Sequence, residues 1–398
     1  MVRHSNGVLP NFRNLHQPTL RRFVQDNLHN IALTLVPGVG DILIRQLVSY
    51  CGSSAAVFQS PVAKLLKIPG IGEVTARAIR RPEHLTEAEA VQKRLDTLNA
   101  RALFYTDADY PSRLKTLYDA PALLYFLGNA DLNAPRTVSL VGTRQATDYG
   151  RRITDEITVA MKPYNALIVS GLAYGIDIAA HRASLGHGLP TVGVMASGLD
   201  VIYPSVHQKT AQEMTVLGGL LTENRPGTKP DAHLFPARNR IIAGMSDAVI
   251  VVEAAAKGGA LITAEYANNY HREVFAVPGQ LNQAFSAGCN KLIRQNKAQI
   301  YTGPECIIEA LNWDHSGSAT APARLKNGML DLPPLPLHFT EEESQLMALL
   351  RQTTDSHIDE LSWKSQIPMG KLASLLLNLE FQGYVRSLPG KKYQVVYV

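Results

Sequence analysis

Cysteine is scarce. Cys51, Cys289 and Cys306 are the three in 398 residues, and none stands at CxxC or Cys/His spacing from another. Neither a disulfide framework nor a zinc module is indicated, and a reducing, cytoplasmic setting is expected. Long apolar runs are missing too: nothing approaches the roughly 20 residues that span a bilayer, and the longest stretch, Ala248–Ala256, contains Glu253. No membrane association is expected. Residues 1–20 hold Arg, His, Asn and Pro without an apolar core of secretory type, so they read as a disordered leader rather than an export signal. The G-x-G-x-x-G fingerprint of dinucleotide sites is absent as well, and no cofactor or metal is expected. Charge of one sign is hardly in excess, with 39 Lys/Arg against 34 Asp/Glu, a net +5 and a pI near 9.0. That balance permits a polyanionic partner without demanding one.

What is present points to several folded parts. A chain of this length exceeds one compact core, so two or three domains are expected. Apolar residues at 45% and charged ones at 18% fit a folded chain rather than a disordered one. Near the N-terminus Val36-Pro37-Gly38-Val39-Gly40-Asp41 recurs as Ile68-Pro69-Gly70-Ile71-Gly72-Glu73. Each copy lies within a helical apolar pattern, which predicts two helix-hairpin-helix units over residues 21–128. Such a turn leaves backbone N–H groups at the next helix start open to a phosphate oxygen. Alternatively, Pro and Gly only punctuate two packed hairpins. Residues 1–128 carry 15 Lys/Arg against 10 Asp/Glu, enough to hold the whole net excess.

From residue 129 to 314 short β-branched runs alternate with helical stretches. Val138–Val141, Leu167–Val169, Thr191–Met195, Ala248–Val252 and Val274–Val277 have the length and composition of strands buried on both faces. The expected fold class is α/β, a Rossmann-like, doubly wound, mainly parallel sheet. Residues 315–337, rich in Ser, Ala and Pro, read as a linker. Residues 338–398 read as a winged helix: amphipathic helices at Thr340–Arg351 and Gly370–Gln382, then two strands around Leu388-Pro389-Gly390-Lys391. Its 6 Lys/Arg against 7 Asp/Glu lack the basic balance of a dedicated duplex reader.

In a doubly wound sheet ligands settle beyond the carboxyl ends of the strands. The first such turn is Gly142-Thr143-Arg144: close backbone approach, a hydroxyl and a forked cation for phosphate. The second, Ser170-Gly171, runs through Tyr174-Gly175-Ile176-Asp177 into a helix and forms a plausible anion cradle. Asp177 and His181 are either a helix-start carboxylate with its neighbour or a catalytic pair, but no activated nucleophile accompanies them. Asp200 is read as a turn cap. Phe235-Pro236-Ala237-Arg238-Asn239-Arg240 combines phosphate contacts with an aromatic surface for an unpaired base; alternatively one arginine pairs with Asp247 or Glu253. Because positions i and i+2 diverge on a helix, Arg238 and Arg240 should serve different partners. Glu253 and Glu265 flank Lys257-Gly258-Gly259 and could be an acid/base pair. Lys291 reaches either a phosphate or a structural carboxylate.

These motifs, in this order, resemble the bacterial DNA-processing protein A (DprA/Smf) family. The strings that carry the resemblance are Gly142 to Thr147, Ser170 to His181, Gly198 to Pro204, Phe235 to Ser246 and Gly258 to Gly279. The flanking parts fit as well, since the family often carries an N-terminal helix-hairpin-helix (SAM-like) domain and a C-terminal winged helix. The resemblance implies a non-enzymatic protein that binds single-stranded DNA, protects it during natural transformation and helps load the RecA recombinase. It also implies a homodimer formed through the Rossmann-like domains. Carried over by position, Gly142, Thr143, Arg144, Ser170, Gly171, Arg238, Asn239, Arg240 and Lys291 are the expected phosphate-binding residues, with Phe235 the expected stacking surface. Thr143 stands where the family usually has Ser, and Gly259 stands near a usual Ser. Rival expectations are a nucleotide phosphoribohydrolase of the lysine-decarboxylase-like group, using Glu253 or Glu265, and a protein-interaction scaffold.

Overall fold

The computed structural model describes residues 27–313, 340–351, 356–381, 384–388 and 392–395. The expected leader (1–20), the expected linker (315–337) and most of the C-terminal turn (389–391) lie outside the described residues. The chain divides into two compact units, Met1–Gly317 and Ser318–Val398.

The first unit opens with helices α1 (27–34), α2 (Asp41–Cys51), α3 (Ser54–Gln59), α4 (Val62–Leu65), α5 (Glu73–Ile79) and α6 (Glu83–Leu98). Both repeated turns fall between helices. Gly38 and Gly70 take φ of +79° and +81°, a conformation cheap only for glycine. Ile44, Leu47, Ile79 and Leu95 are fully or almost fully buried, as their helical spacing requires. These helices share one core with the sheet that follows, running on into Ala122, Leu123, Tyr125, Met214 and Leu220.

That sheet begins earlier than residue 129. Strands β1 (Arg101–Phe104) and β2 (Leu123–Gly128), linked through the one-turn helix α7 (Ser112–Lys115), pair antiparallel, and β2 pairs with β6 (Gly218–Thr222). Residues 101–128 therefore belong with the sheet and not with the helical part, a correction to the expected boundary. No strand–helix alternation marked them, because antiparallel neighbours need no crossover helix.

The remaining strands are β3 (Thr137–Gly142), β4 (Leu167–Gly171), β5 (Thr191–Val194), β7 (Ala248–Glu253), β8 (Glu273–Ala276) and β9 (Gln299–Ile300). The order is β1-β2-β6-β5-β4-β3-β7-β8-β9, parallel from β6 through β9. All five expected strands are there. Strand β6 was hidden by Gly218 and Gly219, which read as breakers. A Cβ on Gly218 would lie 1.9 Å from Thr191 O, and one on Gly219 would lie 2.4 Å from the Phe126 ring.

Covering helices are α8 (Asp148–Met161), α9 (Ile176–His187), α10 (Gln208–Leu217), α11 (Leu234–Met245), α12 (Gly259–Asn269), α13 (Ala287–Arg294) and α14 (Pro304–Ala310). From β3 the chain winds outward through β4, β5 and β6, then returns to the other side of β3 as β7. That reversal opens a crevice at the carboxyl ends of β3 and β7, where ligands of doubly wound sheets bind.

Two polar arrangements, one half-buried and one fully buried, hold this unit. Arg240 on α11 bonds Glu223 and the Asp119 carbonyl and lies 3.7 Å from Asp41 Oδ2, while Asp41 Oδ1 accepts the Ala122 N–H at 2.8 Å. The start of α2 is thereby tied to the sheet. Burial pushes the Glu223 carboxyl upward, opposed by Arg240. His181 on α9 is fully buried, with Nδ1 2.7 Å from Thr191 Oγ1 and Nε2 3.0 Å from Gly171 O. Burial lowers its pKa to about 4, so the ring is a neutral clamp between α9 and strands β4 and β5.

The second unit holds α15 (Glu341–Leu350), β10 (Ser356–His357), α16 (Ile358–Ser365), α17 (Met369–Phe381), β11 (Val385–Leu388) and β12 (Lys392–Val395). Its sheet runs β10-β12-β11 around Leu346, Leu361, Leu372, Leu376 and Val385. Thr340 and Glu343 form a capping box at the start of α15. Helices followed by a hairpin make the expected winged helix. Among the described residues no helix is long and apolar enough to cross a membrane.

Arg240→Ala removes the cation between Asp41 and Glu223 and should cost about 1–3 kcal/mol, read as a lower urea midpoint with unchanged slope; an unchanged midpoint would contradict the tie. For His181, the unfolded ring takes up its proton near pH 6.5 and the folded one near 4. Stability should be full above about pH 6.5 and fall by roughly 3 kcal/mol as pH drops to 4. A non-titrating His181→Gln variant should show a flatter profile across that window.

Candidate functional site

The loop after β3 is pinned from both sides. Thr143 N donates to Glu253 O at 2.7 Å on the β7 side, and Ile176 N donates to Thr143 O at 3.1 Å on the α9 side. Gly142 permits this: a Cβ there would lie 2.4 Å from Ile176 Cγ1 and 3.0 Å from Glu253 O. Gly175, at φ +79°, would meet Thr143 O at 2.0 Å. Farther along, the buried Glu253 carboxylate accepts Thr147 N at 3.0 Å and Thr147 Oγ1 at 2.5 Å, and Thr147 Oγ1 caps α8 by accepting Gly150 N. Between these anchors Arg144 stands exposed, its guanidinium 5.3 Å from the centre of the Phe235 ring.

A cleft of about 530 Å³ lies at the crevice, lined by Gly142, Thr143 and Arg144, by Phe235, Arg238 and Asn239, and by Lys257, Gly258 and Gly259. Helix α12 starts at Gly259 beside the extended Gly258, and a Cβ on Gly258 would meet nothing within 4 Å. The start of α12 lines the cleft, and the free N–H groups of a helix start suit an anion. Asn239 Nδ2 donates to Gly259 O at 3.2 Å, tying α11 to this turn.

Arg238 is buried beneath the cleft. It donates to Val194 O and to Asn239 Oδ1 and faces the Asp177 carboxylate. Burial pushes Asp177 up to about 6, while Arg238 pulls it down. Gly171 makes the room: a Cβ there would lie 2.3 Å from Arg238 Nη1 and 2.5 Å from Asp177 Oδ2. Beside the main cleft a narrow slot is walled by Phe235, Tyr203 and Tyr174 together with Arg144 and Arg238. Tyr203 lies 5.9 Å from Phe235, centre to centre.

Of the expected residues, Gly142, Thr143, Arg144, Phe235, Arg238 and Asn239 come together. Others do not. Ser170 is fully buried and donates to Leu140 O at 2.6 Å, so with Gly171 it supports the floor instead of lining the cleft. Arg240 diverges from Arg238, as helical spacing required, and is consumed by Glu223 and Asp119. Lys291 is exposed on α13 opposite the buried Cys289 and Leu292 and does not line the cleft. Asp200 is a loop latch, accepting Gly227 N at 2.7 Å and Arg94 Nη2 at 2.9 Å. Asp247 pairs with Arg113 rather than with an arginine of α11. Glu253 and Glu265 are not brought together on the cleft, because Glu253 holds Thr147 while Glu265 pairs with Lys297 at 3.9 Å. Among the described residues no cluster of metal ligands occurs.

Lys257 was missed as a cleft cation. Its signal was positional: it follows β7, the other strand of the crevice, directly before two glycines. The site thus offers two exposed cations, a helix start and an aromatic wall, a chemistry suited to a phosphate and a flat ring. Gly171→Ala should displace the Arg238–Asp177 pair and cost about 1–3 kcal/mol; full stability by urea denaturation would contradict the packing described.

The chain is similar to known proteins in sequence and in fold. The family model for DNA recombination-mediator protein A matches residues 101–312, and that for the DprA winged helix domain matches 331–391. Protein Smf of Synechocystis sp. is 31% identical over 389 residues, spanning 92% of this chain and 97% of that one. DNA processing protein DprA of Streptococcus pneumoniae is 40% identical over 203 residues, spanning 51% of this chain and 72% of that one. The X-ray structure of DNA processing protein A from the same species superimposes with a TM-score of 0.56 at 30% identity, covering 74% of this chain and 98% of that one. The match of the family model begins at β1, where the sheet itself begins. With a crevice, a sheet and a winged helix all accounted for, the chain belongs to the DNA recombination-mediator protein A family.

Proposed function

We propose that the crevice binds single-stranded DNA, shields it, and presents it for loading of the RecA recombinase, without catalysis. The protein would act in the cytoplasm as a homodimer paired through the Rossmann-like domains, as the family resemblance implies. The observation that carries the reading is Arg144, a cation on a doubly anchored loop, in contact with an aromatic ring at the mouth of a cleft that Lys257 and the α12 start also line. Phosphates account for the cations and the helix start. Phe235, Tyr203 and Tyr174 provide faces on which any base stacks, so affinity is sequence-tolerant. The slot they wall, about 40 Å³, is too small to enclose a base, so an unpaired base stacks against its aromatic mouth. Relatives named DNA processing proteins support the same reading.

An arginine–phosphate contact contributes about 1.5–3 kcal/mol. Arg144→Ala should therefore weaken oligo(dT) binding roughly 10- to 100-fold by fluorescence anisotropy at moderate salt. Unchanged affinity with an intact oligomer would sink the assignment.

A further inference from the structure

Arg144 faces more than the main cleft. On its other side a groove of about 520 Å³ runs between the first turns of α8 and the outer face of α9. Three guanidinium groups line it: Arg144, Arg151 and Arg182. Gly175, Ala179 and Ala183, spaced by four along α9, share one helix face and line the same groove. Tyr174, half exposed, stands where the groove meets the aromatic slot and lines both.

The charges leave the groove cationic. Asp155, its one carboxylate, is bonded by His187 Nε2 at 2.8 Å. Arg151 is exposed and has only the fully exposed Asp148, 3.0 Å away and three residues back, a pairing too weak to compete with a phosphate diester. Arg182 is exposed, and no carboxylate pairs with it among the described residues.

We propose that this groove is a second subsite for the same strand: DNA leaving the main cleft passes over Arg144, stacks a base on Tyr174, and lays its following phosphates between Arg151 and Arg182. The inference rests on the reading of the main cleft. Small residues under the strand keep the backbone path open, and the two arginines approach it from opposite helices. The occupant is a single strand because bases stack on an exposed aromatic face such as Tyr174 when they are unpaired.

The test compares oligo(dT) of about 5 and about 15 nucleotides, near the two ends of the typical range of single-strand site sizes, about 4–16, on the full chain. Wild-type protein should bind the longer strand more tightly and with a steeper salt dependence. In R151A/R182A, both exposed positions, the advantage of the longer strand should shrink, and its slope of log K against log salt should fall by about 1.4, or 0.7 for each lost phosphate contact. If R144A weakens both lengths while R151A/R182A matches wild type at the longer one, the groove proposal is overturned and the main-cleft reading stands. If R144A weakens neither, both fall.

Discussion

A turn between a strand and a helix positions a cation only when the backbone on either side is fixed. Here the loop from Gly142 to Thr147 is fixed by β7 through Glu253 and by α9 through Ile176. The Glu253 main-chain oxygen takes Thr143 N–H, and its buried side chain takes both polar groups of Thr147. One residue at the end of β7 thus sets the start of the loop and its end. Arg144 loses less freedom on binding than a cation on an untethered loop would. The same duty removes Glu253 from acid/base work, since its lone pairs are engaged in holding the chain.

Beneath this loop the Arg238–Asp177 pair is a different use of charge. A buried arginine facing a buried carboxylate adds little net field to the cleft, yet Arg238 ties α11 to β5 through Val194, and Asn239 beside it ties α11 to the start of α12 through Gly259. Field at the surface comes from Arg144 and Lys257 instead. The overall net charge of +5 is therefore a poor guide to the site. Much of the basic content is spent internally, as at Arg240 with Glu223 and Arg113 with Asp247.

Strands β3, β4, β5, β7 and β8 were legible because each is a short β-branched run between helical patterns, and the crevice followed from their order; the two-residue β9 was too short to show. Strands β1 and β2 were not, since antiparallel pairing needs no crossover helix, and β6 was not because it opens on Gly218-Gly219, which weaken a strand pattern. Within the site, Gly142, Thr143, Arg144, Phe235, Arg238 and Asn239 stood out as residues next to strand ends or at a helix start. Which arginine of α11 faces the crevice was not visible. Two positions separate Arg238 from Arg240, and that spacing says they diverge without saying which one turns inward. Ser170 misled because a serine at a strand end can point up to a ligand or down to the next strand, and only the pleat decides. Lys257 was hidden by its ordinary neighbours until β7 was seen to flank β3.

The central claim is that the switch-point crevice, and not the repeated glycine turns of the N-terminal helices, receives the DNA strand. Hydrogen exchange of the full chain with and without oligo(dT) tests it most directly, because bound backbone N–H groups exchange more slowly. Protection should appear at residues 142–147, 173–177 and 257–261. Protection confined to residues 37–43 and 69–75, with the crevice unchanged, would contradict it.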